Sequence, residues 1–209
     1  MSALVTLEGP AAPLFEPDVN TDSIAPLFRA ADGAAKSGER TRDELARNLF
    51  ANRRFNRDGT ATDFVLNQPL FRYAHFLIGG PNFACGSSRE TAATMLSAFG
   101  IRCVIAPSFA GIFFDNCFRN YLLPLTLDIE LVENLAQQAA TGANFALDVE
   151  RGILTPPHGA PIAFTLPAFR RELLLSGADE ITVTLKRSSE IATYEAAAKQ
   201  LRPWEMQAG

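Results

Sequence analysis

Apolar residues follow two patterns in the central part of the chain, short continuous runs and helical spacing. Three short apolar runs predict buried strands: 73–78, 102–106 and 122–127. Two stretches between these runs repeat apolar residues at the spacing of one helix face: 88–99 and 108–120. The apolar face of the second helix is predicted to contain Phe109, Ile112, Phe113 and Cys117. Because strand and helix alternate, these elements predict a parallel sheet with right-handed connections.

The segments on either side of this centre are less regular. Residues 3–7 are predicted to form a short strand that leads into a loop rich in proline and glycine. A helix is predicted over 41–50, where Thr41 and Glu44 have the spacing of a capping box. Towards the C-terminus we expect a helix, a β-pair and two further helices: 128–140, 145–154 with 161–166, 167–175 and 188–201. Since no repeat or linker interrupts the pattern, we expect a single α/β domain over 1–209.

Composition and charge narrow the classes of function. The chain has 47% apolar and 20% charged residues, which is ordinary for a globular protein and excludes a disordered chain. A net charge of −4 gives no basic excess, so we expect no nucleic-acid partner and no anionic membrane surface. No apolar run is long enough to span a bilayer, and the N-terminus lacks the basic start of a secretory signal.

The three cysteines argue against a metal site in this chain. Cys85, Cys103 and Cys117 are an odd number at wide spacing, and no CxxC pair is present. We therefore expect small buried thiols, no bound metal and a cytoplasmic location.

The run GPNFACGSSRE, residues 80–90, carries the chemistry. It follows a predicted strand and leads into a predicted helix, which places it at the carboxyl edge of a parallel sheet where ligands of α/β folds bind. Helix N–H groups, the hydroxyls of Ser87 and Ser88 and the Arg89 guanidinium would together bind a carboxylate or a phosphate. Ser87 and Glu90 also have the spacing of a capping box, which would be a purely structural role. The two interpretations are compatible, because a capping serine can still face a substrate.

The run NFACGSSRE, residues 82–90, closely resembles the NFGCGSSRE signature of the isopropylmalate dehydratase small subunits, a swivel-domain branch of the aconitase superfamily. NTDSIAP at 20–26 is similar to the family motif NxDTDxIIP. Further segments resemble family blocks in the same order: 64–67, 104–113, 120–124, 168–171 and 191–196. Each block alone is weak, but the ordered set covers most of the chain.

This resemblance implies a swivelling β/β/α domain of aconitase type, with a central partly parallel sheet flanked by helices. It implies a small subunit that is active only with a large subunit, as a heterodimer or heterotetramer. The large subunit would carry a [4Fe–4S] cluster with one open iron as Lewis acid, so this chain would bind no cofactor itself. The implied reaction isomerises 2-isopropylmalate and 3-isopropylmalate, small dicarboxylates of leucine biosynthesis, by dehydration and rehydration.

The resemblance also implies roles for individual residues. Ser87 would act as the base in alkoxide form, while Ser88 and Arg89 would bind a substrate carboxylate. Arg53 and Arg54 lie where the family has its substrate-recognition loop, although exposed arginines are more often simply solvated. Four residues are expected to support the site: Thr21, Asp22, Gly86 and Glu90. Asp22 would orient Arg89 or the loop, or would only cap a turn.

Departures from the family pattern keep alternatives open. Thr91–Ala92–Ala93–Thr94 stands where the family usually has His-Ala-Pro-Trp. Ala84 replaces a usual glycine, Asn20 replaces the first Asp of the family's D-T-D run, and Ala25 replaces an isoleucine. The chain could therefore belong to a hydro-lyase for another alkyl-malate or alkyl-maleate, of citraconate or dimethylmalate type. It could also be a catalytically silent assembly module. Finally, we expect residues 29–57 to be mobile in the isolated subunit, because this segment is polar and contains glycines.

Overall fold

A computed structural model describes residues 3–27, 38–202 and 204 of the chain. Its strands are β1 (Thr6–Leu14), β2 (Phe76–Gly79), β3 (Cys103–Ala106), β4 (Leu123–Thr126), β5 (Asn144–Asp148), β6 (Ile153–Thr155) and β7 (Ile162–Ala163). Its α-helices are α1 (Thr21–Ile24), α2 (Arg42–Asn48), α3 (Ala51–Arg54), α4 (Thr91–Phe99), α5 (Gly111–Arg119), α6 (Ile129–Ala139), α7 (Ala168–Ser176), α8 (Glu180–Leu185) and α9 (Ser188–Leu201). A 3-10 turn covers Val65–Asn67.

In the described part of the chain, the strands form one seven-stranded sheet in the order β4-β3-β2-β1-β5-β6-β7. Strands β1 to β4 pair in parallel, and their central members β2 and β3 are buried along their whole length. Continuous apolar runs of this kind are typical of parallel strands that are covered on both faces. Strands β5, β6 and β7 extend the sheet by antiparallel pairing. The predicted partly parallel sheet of an α/β fold is confirmed.

The first strand was predicted over 3–7, but β1 begins later and is longer, over Thr6–Leu14. Strand β1 continues through the segment predicted as a proline-rich loop, because it pairs with two different neighbours along its length. Its first half pairs antiparallel with β5, and its second half pairs parallel with β2. Pro10 lies where β1 passes from one neighbour to the other, and its carbonyl accepts the His75 N–H at 3.1 Å. A proline lacks only the donor, so it remains compatible with a strand at such a position.

Helices flank the sheet and bury its faces. Leu77 and Val104 share one apolar cluster with Met95 of α4 and Phe113 of α5. Neighbouring strand residues point to opposite faces, and α6 packs against β1, β2 and β3. Ile112 was wrongly predicted to lie on the buried face of α5, since 54% of its surface is exposed.

Two helix ends have the residues that local sequence rules favour. Thr41 and Glu44 form the predicted capping box at the start of α2. Gly100 ends α4 with a φ of 119°, a backbone conformation that favours glycine. The segment 29–57 lies partly outside the described residues, and its described part, from Gly38 onward, contains α2 and α3.

The C-terminal third departs from the prediction in its pairing. Residues 145–154 form a hairpin of β5 and β6, and the segment after 161 contributes only the short β7. The predicted helices α6, α7 and α9 are confirmed, whereas α8 was not predicted. The described chain forms two compact units, one up to Gly177 and one from Ala178 onward. The single domain over 1–209 stays a prediction.

The close approach of two loops gives a prediction on stability. A Cβ atom on Gly80 would lie 2.3 Å from the Glu16 carbonyl oxygen and 2.9 Å from the Pro17 nitrogen. Because these are backbone atoms, Gly80→Ala must push the loops apart, and we expect the free energy of unfolding to fall by about 2 kcal/mol. Urea unfolding of the isolated subunit measures this value. Gly111→Ala is the control, since a Cβ there meets nothing within 4 Å; equal midpoints for the two variants would contradict the prediction.

Candidate active site

Three loops that follow neighbouring parallel strands converge at one edge of the sheet. Residues 15–20 follow β1, residues 80–90 follow β2, and residues 107–110 follow β3. The carboxyl ends of parallel strands are where α/β folds place their ligand sites. The structure therefore brings the serine-containing run to the edge that the sequence indicated.

Backbone hydrogen bonds hold the first two loops side by side. The Asp18 N–H donates to the Pro81 carbonyl at 2.9 Å, and the Ala84 N–H donates to the Val19 carbonyl at 2.7 Å. The Thr21 N–H donates to the carbonyl of Cys85 at 2.8 Å. This ladder fixes the register of α1 against the loop, so Thr21 lies next to the residues that follow Cys85.

The second loop needs unusual backbone angles to run along the first. Asn82 and Ala84 have φ values of 55° and 60°, and Gly86 has a φ of 101°. The value at Gly86 lies outside the range that residues with side chains readily adopt. Ala84 occupies a left-handed position although it carries a Cβ, which explains why glycine is usual there in the family that the sequence resembles.

The Ser87 hydroxyl oxygen is the point where these segments meet. It accepts hydrogen bonds from Thr21 Oγ1 at 2.9 Å, from Arg89 Nε at 3.0 Å and from the Arg89 backbone N–H at 3.4 Å. Thr21 is 1% exposed, whereas Ser87 is half-buried. Donors that converge on an oxygen stabilise its anionic form. The arrangement is therefore chemically suited to a serine alkoxide that faces an open edge.

Arg89 links this oxygen to α1. Its Nη2 forms an ion pair with Asp22 Oδ1 while its Nε donates to Ser87. The two side chains of the pair are 34% and 76% exposed, and ion pairs at such exposure contribute little to stability. The pair places Asp22 where it can orient the guanidinium, and that role of Asp22 stays a prediction. Asn20, and not Asp22, caps α1 by accepting the Ser23 N–H at 2.8 Å.

The predicted capping box of Ser87 and Glu90 is absent, and α4 begins only at Thr91. The two side chains have other partners. The Ser87 hydroxyl binds Thr21 and Arg89, and Glu90 Oε1 accepts a hydrogen bond from Asn120 Nδ2 at 3.0 Å. The capping role predicted for Ser87 is therefore wrong.

Helix α5 also begins later than predicted, at Gly111. Ser108 is bound to the second loop, because its Oγ accepts the Asn82 N–H at 2.8 Å and its carbonyl accepts the Phe83 N–H at 3.0 Å. The Phe83 carbonyl in turn accepts the N–H of Ala110 at 3.0 Å.

Arg53 and Arg54 form hydrogen bonds with residues outside the cluster around Ser87. Arg53 binds both oxygens of Glu16, at 2.9 and 2.8 Å, and its guanidinium lies 4.6 Å from the ring centre of Phe64. Arg54 donates to Asn67 Oδ1 at 3.0 Å and to carbonyl groups of its own segment. Burial lowers the pKa of the Arg54 guanidinium. The helix that carries both arginines packs against α1, but their substrate role stays a prediction.

Three residues of this region were missed by the sequence analysis as site residues. Asn120, which is buried, anchors Glu90, and Ser108 anchors the loop of Ser87. Asn120 begins one of the resemblance blocks, which is a signal that could have found it. Glu16 holds Arg53 and has no comparable signal in the sequence. Ser88 is exposed beside Ser87.

The cysteines do not fit an iron–sulfur cluster. Cys103 and Cys117 are fully buried, and burial raises the pKa of both thiols. Cys85 is half-buried, and its Sγ lies 3.6 Å from the Asp18 carbonyl oxygen. Among the described residues, no group of three or more His, Cys, Asp or Glu side chains is placed to hold a metal ion.

Within the described part of the chain, no helix combines the length and the apolar character that a bilayer crossing requires.

Comparisons with known proteins agree with the resemblance. The model of the aconitase C-terminal domain matches residues 1–130. The 3-isopropylmalate dehydratase small subunit of Paramagnetospirillum magneticum is 45% identical over 98% of this chain and all of its own length. The corresponding protein of Rhodospirillum centenum is 46% identical over 99% of this chain, again over its full length.

A solved structure extends the similarity to the fold. The crystal structure of 3-isopropylmalate dehydratase from Methanocaldococcus jannaschii aligns with a TM-score of 0.61 at 26% identity, over 91% of this chain and 99% of the other. With these identities over the full length, the chain belongs to the family of 3-isopropylmalate dehydratase small subunits, in the aconitase superfamily.

Proposed function

We propose that this chain is the small subunit of a cytoplasmic hydro-lyase that interconverts 2-isopropylmalate and 3-isopropylmalate in leucine biosynthesis. The observation that carries the proposal is the set of donors on Ser87 Oγ, from Thr21 and from two N–H groups of Arg89. The names of relatives that are 42–46% identical over nearly the whole chain support the same reaction.

In this proposal a large subunit completes the enzyme and carries the [4Fe–4S] cluster. The cysteines of the small subunit do not fit that group, and the chemistry assigned to this chain is acid–base and electrostatic. The proton α to a substrate carboxylate is acidified only slightly, so the chain must supply a strong base and must stabilise the resulting charge.

Ser87 supplies the base. As an alkoxide, its Oγ takes the proton from the substrate carbon, hydroxide leaves the adjacent carbon, and a carbon–carbon double bond forms between them. Arg89 and the exposed Ser88 bind the substrate carboxylate, which becomes a dianionic aci-carboxylate during proton removal. Rehydration returns the proton from Ser87 to one carbon, which restores the alkoxide, while the released hydroxide adds to the other carbon. The hydroxyl therefore changes place, and no proton is gained or lost over the two steps.

Arg53 is proposed to contribute to substrate binding from α3. Its present partner, Glu16, is 49% exposed, and a substrate carboxylate has the same bidentate geometry as this side chain. Arg54 would then hold α3 in place through its hydrogen bonds to Asn67 and to carbonyl groups of the preceding residues.

A second candidate is the same reaction on a smaller alkyl-malate. It is favoured by the start of α4, where the fully buried Ala92 and Ala93 follow Arg89 by only three and four residues. The family usually has Ala-Pro at these positions, between a histidine and a tryptophan that are both threonine here. These changes adjoin the proposed carboxylate-binding residues and could alter which alkyl group fits.

Activity of the reconstituted complex tests the proposal. The chain is co-purified with a large subunit under anaerobic conditions, the cluster is reconstituted, and absorbance of the unsaturated intermediate is followed. We expect turnover of 2-isopropylmalate at a higher kcat/KM than of 2-methylmalate. Turnover of 2-methylmalate alone would favour the second candidate, and a stable complex without turnover would indicate an assembly module.

A further inference from the structure

We infer that the hydroxyl of Thr21 is a positioning residue that holds Ser87 as a base, an inference that rests on the proposed function and deepens it. Thr21 Oγ1 lies 2.9 Å from Ser87 Oγ, and no part of the substrate needs to touch it. Its contribution differs from that of Arg89, because a buried hydroxyl brings a donor without bringing a charge.

The backbone leaves Thr21 little freedom to do anything else. Its N–H donates to the Cys85 carbonyl at 2.8 Å, and its own carbonyl accepts the Ala25 N–H at 2.8 Å. Asn20 and Cys85 form a parallel bridge directly beside it. With 1% of its surface exposed, Thr21 has no contact with bulk water, so its hydroxyl is directed by the protein alone.

The surroundings of Ser87 explain why a neutral donor matters. Within residues 3–27 and 38–202, the charged groups in this cluster are Arg89, which touches Ser87, and Asp22 of α1, which pairs with Arg89 and offsets part of its positive charge. Glu90 in the same turn is held by Asn120, and Arg53 of the neighbouring α3 is held by Glu16. The positive charge of Arg89 can therefore stabilise a Ser87 alkoxide only in part. The Thr21 hydroxyl adds a hydrogen bond to the alkoxide, and because it is neutral it does not draw in another carboxylate as Arg89 does with Asp22.

The hydrogen bond from Thr21 determines in which direction the ionisation of Ser87 shifts. A donor to an oxygen is worth more when the oxygen is charged, so Thr21 favours the alkoxide over the neutral hydroxyl. Without that donor the proton leaves Ser87 less readily, and a higher pH is needed to reach the same fraction of alkoxide. Substrate binding, which the proposal assigns to Ser88, Arg89 and Arg53, does not depend on this bond.

The test replaces the Thr21 hydroxyl by a methyl group and keeps the size of the side chain. In the assembled complex, Thr21→Val should lower kcat about 10- to 100-fold with little change in KM, since removal of one donor from an oxyanion site typically costs about 10²-fold. The kcat deficit should be largest at low pH and should shrink as the pH rises. Thr21→Ser, which retains the donor, should restore most of the activity. Thr21→Ala is measured in parallel, because it removes the hydroxyl without adding a methyl group.

Controls separate a positioning role from a structural one. Thr141→Val removes an exposed hydroxyl that donates to the Gln138 carbonyl at the end of α6, and its kcat should equal that of the unmodified complex. All variants are checked for co-purification with the large subunit and for an unchanged thermal midpoint. In a Ser87→Ala background, Thr21→Val should have no further effect on activity.

Three outcomes separate this inference from the proposed function. If the unmodified complex does not turn over 2-isopropylmalate, the proposed function fails. If Ser87→Ala remains active, the assignment of Ser87 as the base fails. If Ser87→Ala is inactive but Thr21→Val has normal kcat and pH dependence, or if Thr21→Ser is as impaired as Thr21→Val, then only the role of Thr21 is overturned.

Discussion

Ser87→Ala is expected to lower kcat of the assembled complex by about 10³-fold or more, since it removes the proposed base, whose typical contribution is about 10²- to 10⁴-fold. The substitution deletes the oxygen on which Thr21 and Arg89 converge, and neither neighbour can take over proton removal. The loss should appear in kcat far more than in KM, because carboxylate binding is assigned to other residues. Steady-state kinetics with 2-isopropylmalate measure the effect.

The protein should still fold and assemble when Ser87 is replaced. The side chain is only half-buried, so loss of its hydrogen bonds costs about 1 kcal/mol of stability. Ser176→Ala is the matched control, since Ser176 lies at the end of α7 with its hydroxyl near the Leu173 carbonyl. Normal turnover by Ser87→Ala would contradict the proposed mechanism, whereas loss of complex formation would assign Ser87 to assembly.

Arg89→Lys is expected to lower kcat/KM by about 10²-fold or more, which is the typical cost of losing one preorganised donor at such a site. Arg89 donates from Nε to Ser87 while Nη2 pairs with Asp22. A lysine ammonium is a single point of charge, and it cannot reproduce the planar fork of a guanidinium. Both kcat and KM should suffer, because Arg89 acts on the base and is also proposed to bind the substrate.

Arg170→Lys provides a control of matched exposure. Arg170 pairs with Asp115 at 2.7 Å, and the two side chains are 33% and 60% exposed, close to the exposures of the Arg89 pair. Activity of this variant should equal that of the unmodified complex. If Arg170→Lys and Arg89→Lys were equally active, the guanidinium of Arg89 would have no special role.

The sequence predicted the elements of this fold best where local pattern and tertiary surroundings agree. The central strands were found because parallel strands are apolar along their length, and α2 was found because its capping box is complete within four residues. The loop of Ser87 was found because it lies between such elements.

The errors lie where a distant segment decides the local structure. Pro10 and Pro13 are compatible with a strand only because β1 changes its neighbour along its length. The starts of α4 and α5 were predicted too early in the sequence, because Ser87 and Ser108 have partners in other loops that no local pattern reveals. Likewise, the bidentate pairing of Arg53 with Glu16 depends on an approach of two loops that are far apart in sequence.

Pairing of β1 with β2 has a consequence for when the enzyme becomes reactive. Ser87 and the hydroxyl that contacts it are separated by 66 positions in the chain, and only the docking of two parallel strands brings them together. Contacts of such long range form late in folding, after the entropy of closing the intervening loop has been lost. A nascent or partly unfolded chain therefore carries a serine without these donors, and the proposed base is assembled only when the sheet is complete.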